Sequence, residues 1–279
     1  MQADIETLYR SDFYSITDFR CRCTDCRTSK PEYSKLFCIA FIRKGNFLFN
    51  AFRNSLDSYN GCALVTKPGY EHTVTHTHQV PDECTVFELK TGFYKELNEH
   101  FKEGFFRDED LHSTLVKTNA EIEFLHYNIL QLVLKSGHNL EIDQLVMEMI
   151  EKVLARITDY GPDSHINLRL KRNHLRTIEL AKEFITKNFA DDISLVDIAS
   201  YCNVSPFHFS RIFKTFTSSS PHQFLLGTRL KHAELLLKNT ALPVADVAYS
   251  SGFKSIQYFT NAFKQKYFCP PGKFSISNQ

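Results

Sequence analysis

The sequence predicts an α+β protein in which a small β-barrel or jelly roll with packed helices is joined to an all-α domain containing two helix-turn-helix units. Three observations carry this expectation. A helix-turn-helix pattern occurs twice in the last 110 residues, about 50 residues apart. Short β-type runs broken by Gly and Pro fill the stretch from about 33 to 90. Charge is divided along the chain: residues 1–170 hold 19 Lys/Arg against 25 Asp/Glu, net −6, whereas residues 171–279 hold 14 against 7, net +7. A length of 279 residues suits two domains. A basic segment beside an acidic one fits a nucleic-acid module fused to something else.

In the first part, Phe37–Arg43 and Phe47–Phe52 flank Lys44-Gly45-Asn46, which reads as a hairpin turn. Ala63–Thr66 leads into a second turn at Lys67-Pro68-Gly69, and Thr73–Thr77 and Thr85–Leu89 complete the short strands. From about 93 to 160 the period becomes helical. Ile122, Leu125, Ile129, Leu132 and Val133 form one apolar stripe. Leu145, Met149, Ile150 and Val153 form another, with Leu140 leading in. Ser136-Gly137-His138-Asn139 separates the pair. The stripes either cover the sheet or face out and pair two subunits. Tyr160-Gly161-Pro162-Asp163 is the linker candidate, giving domains of 1–165 and 166–279. Beyond it, helices are expected at about 173–188, 194–202, 206–217, 221–238, 244–250 and 256–267, with a short one from Pro271.

The two repeats set the function. Ile198 and Ala199 correspond to Val247 and Ala248, and Phe209, Phe213 and Lys214 to Phe259, Phe263 and Lys264. Asp192 or Ser194 can cap the first helix; Ser205 caps the second, with Pro206 at its first position. Phe209, Ile212, Phe213 and Phe216 fall on the buried side of the 206–217 helix. Phe207, His208, Ser210, Arg211 and Lys214 face away. Arg211 is the base-reading candidate, because arginine bonds bidentately to guanine; the alternative is a plain surface arginine. Lys214 reads equally as a phosphate contact or a solvated lysine. In the 256–267 helix, Phe259 and Phe263 are the buried pair, and Lys254, Ser255, Gln257, Thr260, Asn261 and Lys264 are available to DNA. Gln257 and Asn261 lie one turn apart, and each suits adenine. Gly252 and Asn203 occupy the turns, where positive φ is tolerated. The helix from Pro221 joins the units. At about 27 Å for about 18 residues it can hold two recognition helices near one turn of B-DNA apart.

The stretches IASYCNVSPFHFSRIFKTF, SPHQF…RLKHAELLL, VADVAYSSGF and YFTNAFKQKYFCPPGKF resemble the AraC/XylS family of bacterial transcriptional regulators, over roughly residues 171–276. The resemblance implies contacts to DNA from Phe207, His208, Ser210 and Arg211, and from Ile256, Gln257, Thr260 and Asn261, with Lys264 near the backbone. The chain departs from the pattern at Asn261, where arginine is common, and at Ser218/Ser219 and Phe268, where glycine is usual. Phe274-Ser275 replaces the closing Tyr/Phe-Arg pair. The N-terminal half is similar, more loosely, to the family's small cupin-like sensor domain followed by dimerisation helices.

The remaining signal is cysteine and histidine. Six of eight cysteines precede residue 85. Cys21, Cys23 and Cys26 form CRCTDC, followed by His72, His76, His78 and Cys84. Cys21 and Cys23 can chelate Zn or Cu, with Cys26, His76, His78 or Cys84 completing the set. Thiol redox sensing and ordinary free cysteines beside an effector pocket stay open. Cys38 and Cys62 look like core strand residues. Arg20, Arg22, Arg27 and Arg43 serve thiolates or an anionic effector, or only solubility.

The expected function is a sequence-specific DNA-binding regulator, controlled by a small-molecule effector or metal at the N-terminal domain. Its partners are a double-stranded promoter site, a second copy of the chain and, for an activator, RNA polymerase. An architectural DNA binder without an effector is one alternative. Another is a cupin-type metalloenzyme using His72, His76 and His78, fused to the DNA-binding part. The first 20 residues contain four acids and no apolar stretch, and no 18-residue apolar segment exists, so the expected location is the cytoplasm, away from any membrane, and the protein is expected not to be an enzyme.

Overall fold

The computed structural model describes residues 3–22, 27–52, 54–77, 81–101, 104–135, 139–157, 166 and 168–276. The expected linker Tyr160–Asp163 and the turn residues 136–138 lie outside these. Contacts divide the chain into two compact units: Met1–Thr118 with Leu125–Glu179, and Asn119–Phe124 with Leu180–Gln279.

Among the described residues the first unit is built on the strands β1 (Ala3–Arg10), β2 (Tyr14–Cys21), β3 (Glu32–Tyr33), β4 (Phe37–Lys44), β5 (Asn46–Ala51), β6 (Asn54–Tyr59), β7 (Cys62–Thr66), β8 (Glu71–His76), β9 (Glu83–Leu89) and β10 (Ser113–Lys117). They form two antiparallel sheets, of order β1-β2-β9-β4-β7-β10 and β3-β8-β5-β6. Phe37, Ile39 and Phe41 alternate inward along β4, and β7 is buried at every position because β4 and β10 flank it. Cys62 is buried in β7 and Cys38 half-buried in β4.

Lys44-Gly45-Asn46 is not a hairpin turn. Strands β4 and β5 belong to different sheets, so this step carries the chain from one sheet to the other. Gly45 makes it with φ 85°, and a Cβ there would overlap Asp82 Oδ1. Lys67-Pro68-Gly69 makes a similar crossing between β7 and β8. Pairing also begins far earlier than residue 33. The β1–β2 ribbon escapes sequence reading because β1 is a polar edge strand, rich in charge as edges are. Strand β10 falls inside the stretch expected to be helical and pairs with β7.

Helices α1 (Thr91–His100), α2 (Ala120–Val133) and α3 (Asn139–Ala155) follow. Ile122, Leu125 and Ile129 of the first stripe, and Leu145, Met149, Ile150 and Val153 of the second, are all buried within the chain. Leu132 and Val133, which close the first stripe, are half-buried. Leu140, expected to lead into the second stripe, is exposed instead. Within the first unit, Phe41 stacks on His126 of α2, and Tyr14 donates to Asp143 of α3.

Helix α4 (Leu168–Asn188) spans the boundary at Glu179/Leu180. The second unit continues with α5 (Leu195–Tyr201), α6 (Pro206–Thr217), α7 (Pro221–Asn239), α8 (Val244–Ser250), α9 (Ile256–Tyr267) and α10 (Pro271–Ile276), each within two residues of its sequence expectation. Caps explain this agreement. Ser194 and Asp197 form a reciprocal capping box on α5, as Ser220 and Gln223 do on α7. Ser205 and Ser255 accept from the backbone N–H groups of His208 and Tyr258.

Among the described residues four non-glycine residues have positive φ; three of them lie in the helical unit, at Asn203, Ser218 and Phe268. Ser218 and Phe268 end α6 and α9 in the left-handed conformation that glycine adopts without cost. Phe268 is 92% exposed and gains no packing in return. Phe268→Gly is expected to raise stability by about 0.5–1 kcal/mol, read as a higher urea midpoint at constant m-value. An unchanged or lower midpoint contradicts the assignment of strain to this cap.

Candidate nucleic-acid interface

Each helix-turn-helix unit hides an aromatic face and presents a polar one. In the first, Ile198, Ala199, Phe209, Ile212, Phe213 and Phe216 are buried, and Phe213 meets Phe224 of α7 edge-on at 5.6 Å. In the second, Val247, Ala248, Phe259 and Phe263 are buried with Phe253 and with Leu230, Ala233 and Leu237 of α7. Burying the phenylalanines fixes which way the rest of each helix looks, because residues three and four apart share a face.

On α6 the outward residues are Phe207 (74% exposed), His208, Arg211 and Lys214; Ser210 is half-buried. The Arg211 guanidinium lies 5.8 Å from the centre of the Phe207 ring, which pre-orients it on the open face. On α9, Ile256, Gln257, Asn261 and Lys264 are exposed and Thr260 is half-buried. Ser255 accepts from the Tyr258 N–H as the helix cap, and Lys254 pairs with Asp192. Tyr258, which the sequence reading did not single out, is also exposed, next to Gln257.

The scaffold behind these faces is polar as well as apolar. Arg229 of α7 donates to the carbonyls of Phe189 (2.7 Å) and Asp191 (2.8 Å), which follow α4, so it is a structural residue here. Gly252 in the second turn, φ 81°, approaches the same segment: a Cβ would stand 2.7 Å from the Phe189 carbonyl oxygen. Lys231 is fully buried and donates to Glu234 at 2.7 Å, and the Tyr267 hydroxyl reaches Glu234 from α9. Burial works to raise the Glu234 carboxyl, but Lys231 and Lys238 outweigh it and bring the pKa down to about 2.

Residues 198–275 match the family model of a helix-turn-helix domain. The chain is 28% identical over 130 residues to the Msm operon regulatory protein of Streptococcus mutans, covering 47% of this chain and 46% of that protein. It is 30% identical over 97 residues to the bifunctional transcriptional activator/DNA repair enzyme AdaA of Bacillus subtilis, covering 35% and 46%. With the lactose operon transcription activator of Staphylococcus xylosus it shares 25% over 179 residues, covering 61% and 62%. The C-terminal region is a helix-turn-helix domain of the AraC/XylS family. The chain spans about half to three-fifths of the length of these relatives.

In the first unit, two separate features emerge. Cys21, His76 and Asp82 converge, all buried. Cys84 is buried opposite Phe19, and burial pushes its thiol far up. Cys23, Cys26 and His78 lie outside the described residues. Arg20 and Arg43 pair with Asp18, and Arg22 with Asp4, so these arginines answer carboxylates. The second feature is an open cleft of about 670 Å³, lined in part by Asn50, Tyr70, Glu71, His72, Asp110 and His112. His72 stacks on Phe49 and bonds Ser34, while His112 stacks on Tyr70. Four residues apart on β8, His72 and His76 are separated by about 13 Å of strand, too far to share one metal. That removes the triad of His72, His76 and His78.

Acid should expose one scaffold contact. His232 of α7 bonds Ser251 Oγ at 3.0 Å and packs on the Phe189 ring, and burial lowers its pKa to about 4. Its contribution is therefore complete above about pH 6.5, the unfolded value, and is lost as pH falls towards 4. The window holds about 3 kcal/mol. Urea unfolding between pH 7 and 4 should show this loss, and His232→Gln should flatten it; an equal slope in both proteins contradicts the assignment.

Proposed function

We propose that the chain is a sequence-specific DNA-binding transcriptional regulator whose recognition helices α6 and α9 enter successive major grooves. The observation that carries this reading is the pair of outward polar faces, Arg211 with Lys214 and Gln257 with Asn261, backed by phenylalanine cores that share α7. The regulatory names of the Streptococcus mutans and Staphylococcus xylosus relatives support a regulator over an architectural binder or an enzyme, while the Bacillus subtilis relative joins a transcriptional activator to a DNA repair enzyme. The functional division is 1–165 for sensing and dimerisation and 166–279 for DNA. The cleft beside His72 and His112 is the place for a small-molecule effector. The reading places the protein in the cytoplasm, pairs two copies on a promoter and, for an activator, adds contact with RNA polymerase. Among the described residues no helix is long and apolar enough to cross a membrane.

Arg211 and Lys214 divide the work. Arg211→Ala should cost about 1–3 kcal/mol on a selected duplex and relax preference at one base pair. Lys214→Ala should weaken selected and scrambled duplexes alike and shallow the salt dependence by about one counterion. Fluorescence anisotropy on both duplexes across a salt series checks this. A small, uniform loss for Arg211→Ala, or a base-selective loss for Lys214→Ala, contradicts the respective role.

A further inference from the structure

The Cys21, His76 and Asp82 side chains are all at least nine-tenths buried, in a part of the first unit remote in sequence from both recognition helices. Cys21 ends β2, His76 ends β8, and Asp82 directly precedes β9, so three strand termini meet here. The cluster is held from several sides. The Cys21 N–H donates to the Asp82 carbonyl at 2.8 Å. His76 Nδ1 bonds Asp82 Oδ2 at 2.7 Å. Gly45 leaves the space that the Asp82 carboxylate occupies, since a Cβ there would overlap Oδ1. With Nδ1 bonded to a carboxylate, His76 turns its other nitrogen, Nε2, towards Cys21 Sγ at 3.7 Å.

A thiol and an imidazole at this distance hydrogen-bond to each other, and it is also the separation two ligands of one metal would have. Zinc bonds a thiolate at about 2.3 Å and an imidazole at about 2.0–2.1 Å, so at a tetrahedral angle sulfur and nitrogen stand about 3.6 Å apart. The observed pair already has this bite. A carboxylate bonded to the far nitrogen is what fixes the tautomer and ring direction of a metal-bound histidine. Sulfur and imidazole together select a thiophilic d10 cation over calcium or magnesium.

We propose that Cys21 Sγ and His76 Nε2 are two ligands of a zinc-type metal site, with Asp82 as the positioning residue behind His76. Asp82 is not a ligand: at 2.7 Å from Nδ1 its oxygen is in a hydrogen bond to the ring. Zinc binding releases the Cys21 thiol proton and leaves His76 neutral, its Nδ1 proton still shared with Asp82. The site is independent of the DNA reading, and its failure would leave the recognition helices untouched.

The test uses the full chain, purified without chelator, stripped, and reloaded with Zn²⁺ or with Co²⁺ as a visible probe. The site predicts about one metal per chain and a thiolate-to-cobalt charge-transfer absorption. Cys21→Ser should abolish that absorption, and Asp82→Asn should weaken Zn²⁺ binding about 10–100-fold. Because a buried substitution can unfold the sheet, X-ray absorption at the zinc edge of the wild-type protein provides a second reading, with a sulfur shell at about 2.3 Å and imidazole nitrogen at about 2.0 Å expected. Failure of folded wild-type protein to take up stoichiometric metal, an oxygen/nitrogen shell alone, or an undiminished charge-transfer band in folded Cys21→Ser would each overturn the site.

Discussion

The helical unit depends on the backbone of the three residues that follow α4. Helix α4 ends at Asn188, and Phe189, Ala190 and Asp191 leave acceptors with no helical partner. Arg229, from the middle of α7, satisfies two of them. Gly252, from the turn of the second repeat, lies so close to the same residues that no side chain fits between. Through these contacts the second repeat is seated against the segment that leads into the first. Phe213 on one side of α7, and Phe259 and Phe263 on the other, then bury their rings against a common helix. Two helices packed on one common helix present polar faces at a set spacing, which the proposed reading of two grooves with one chain requires.

Charge inside this unit reinforces the seating. Lys231, fully buried, has Glu234 at 2.7 Å and Glu121 at 3.7 Å, and Glu121 also lies 3.6 Å from Lys266 of α9. A buried ammonium survives only when it is paired, so removing one partner leaves an uncompensated charge. The pairing makes the position of α9 sensitive to the start of α2, a segment distant in sequence that belongs to the same unit.

The helical unit was largely legible in the sequence because its determinants are local. Ser205-Pro206 and Ser220-Pro221 mark helix starts, phenylalanines at three- and four-residue spacing mark buried faces, and the duplicated pattern cross-checks itself. The roles of Arg229 and Ser255 needed the structure, since a surface arginine and a carbonyl-binding one have the same sequence signature. The sheet unit was less legible. Gly45 announces a turn, but whether the turn joins neighbours in one sheet or crosses between sheets is decided by pairing that no local signal encodes. β1 hid its strand character behind edge charges. Cys21 and His76 could be picked out by chemistry. Asp82 could not, because an aspartate after a proline also reads as a loop residue; only folding shows its carboxylate against His76.

On the proposed function, one chain reads DNA as a single two-part unit. The most direct measurement starts from a duplex selected out of random sequence and inserts about five base pairs, half a helical turn, between the segments protected by α6 and α9. A rigid α7 predicts that affinity falls to that of either segment alone, because the second face now points away from its groove. Unchanged affinity after the insertion would contradict the account and leave the two helix-turn-helix units as independent, flexibly joined binders.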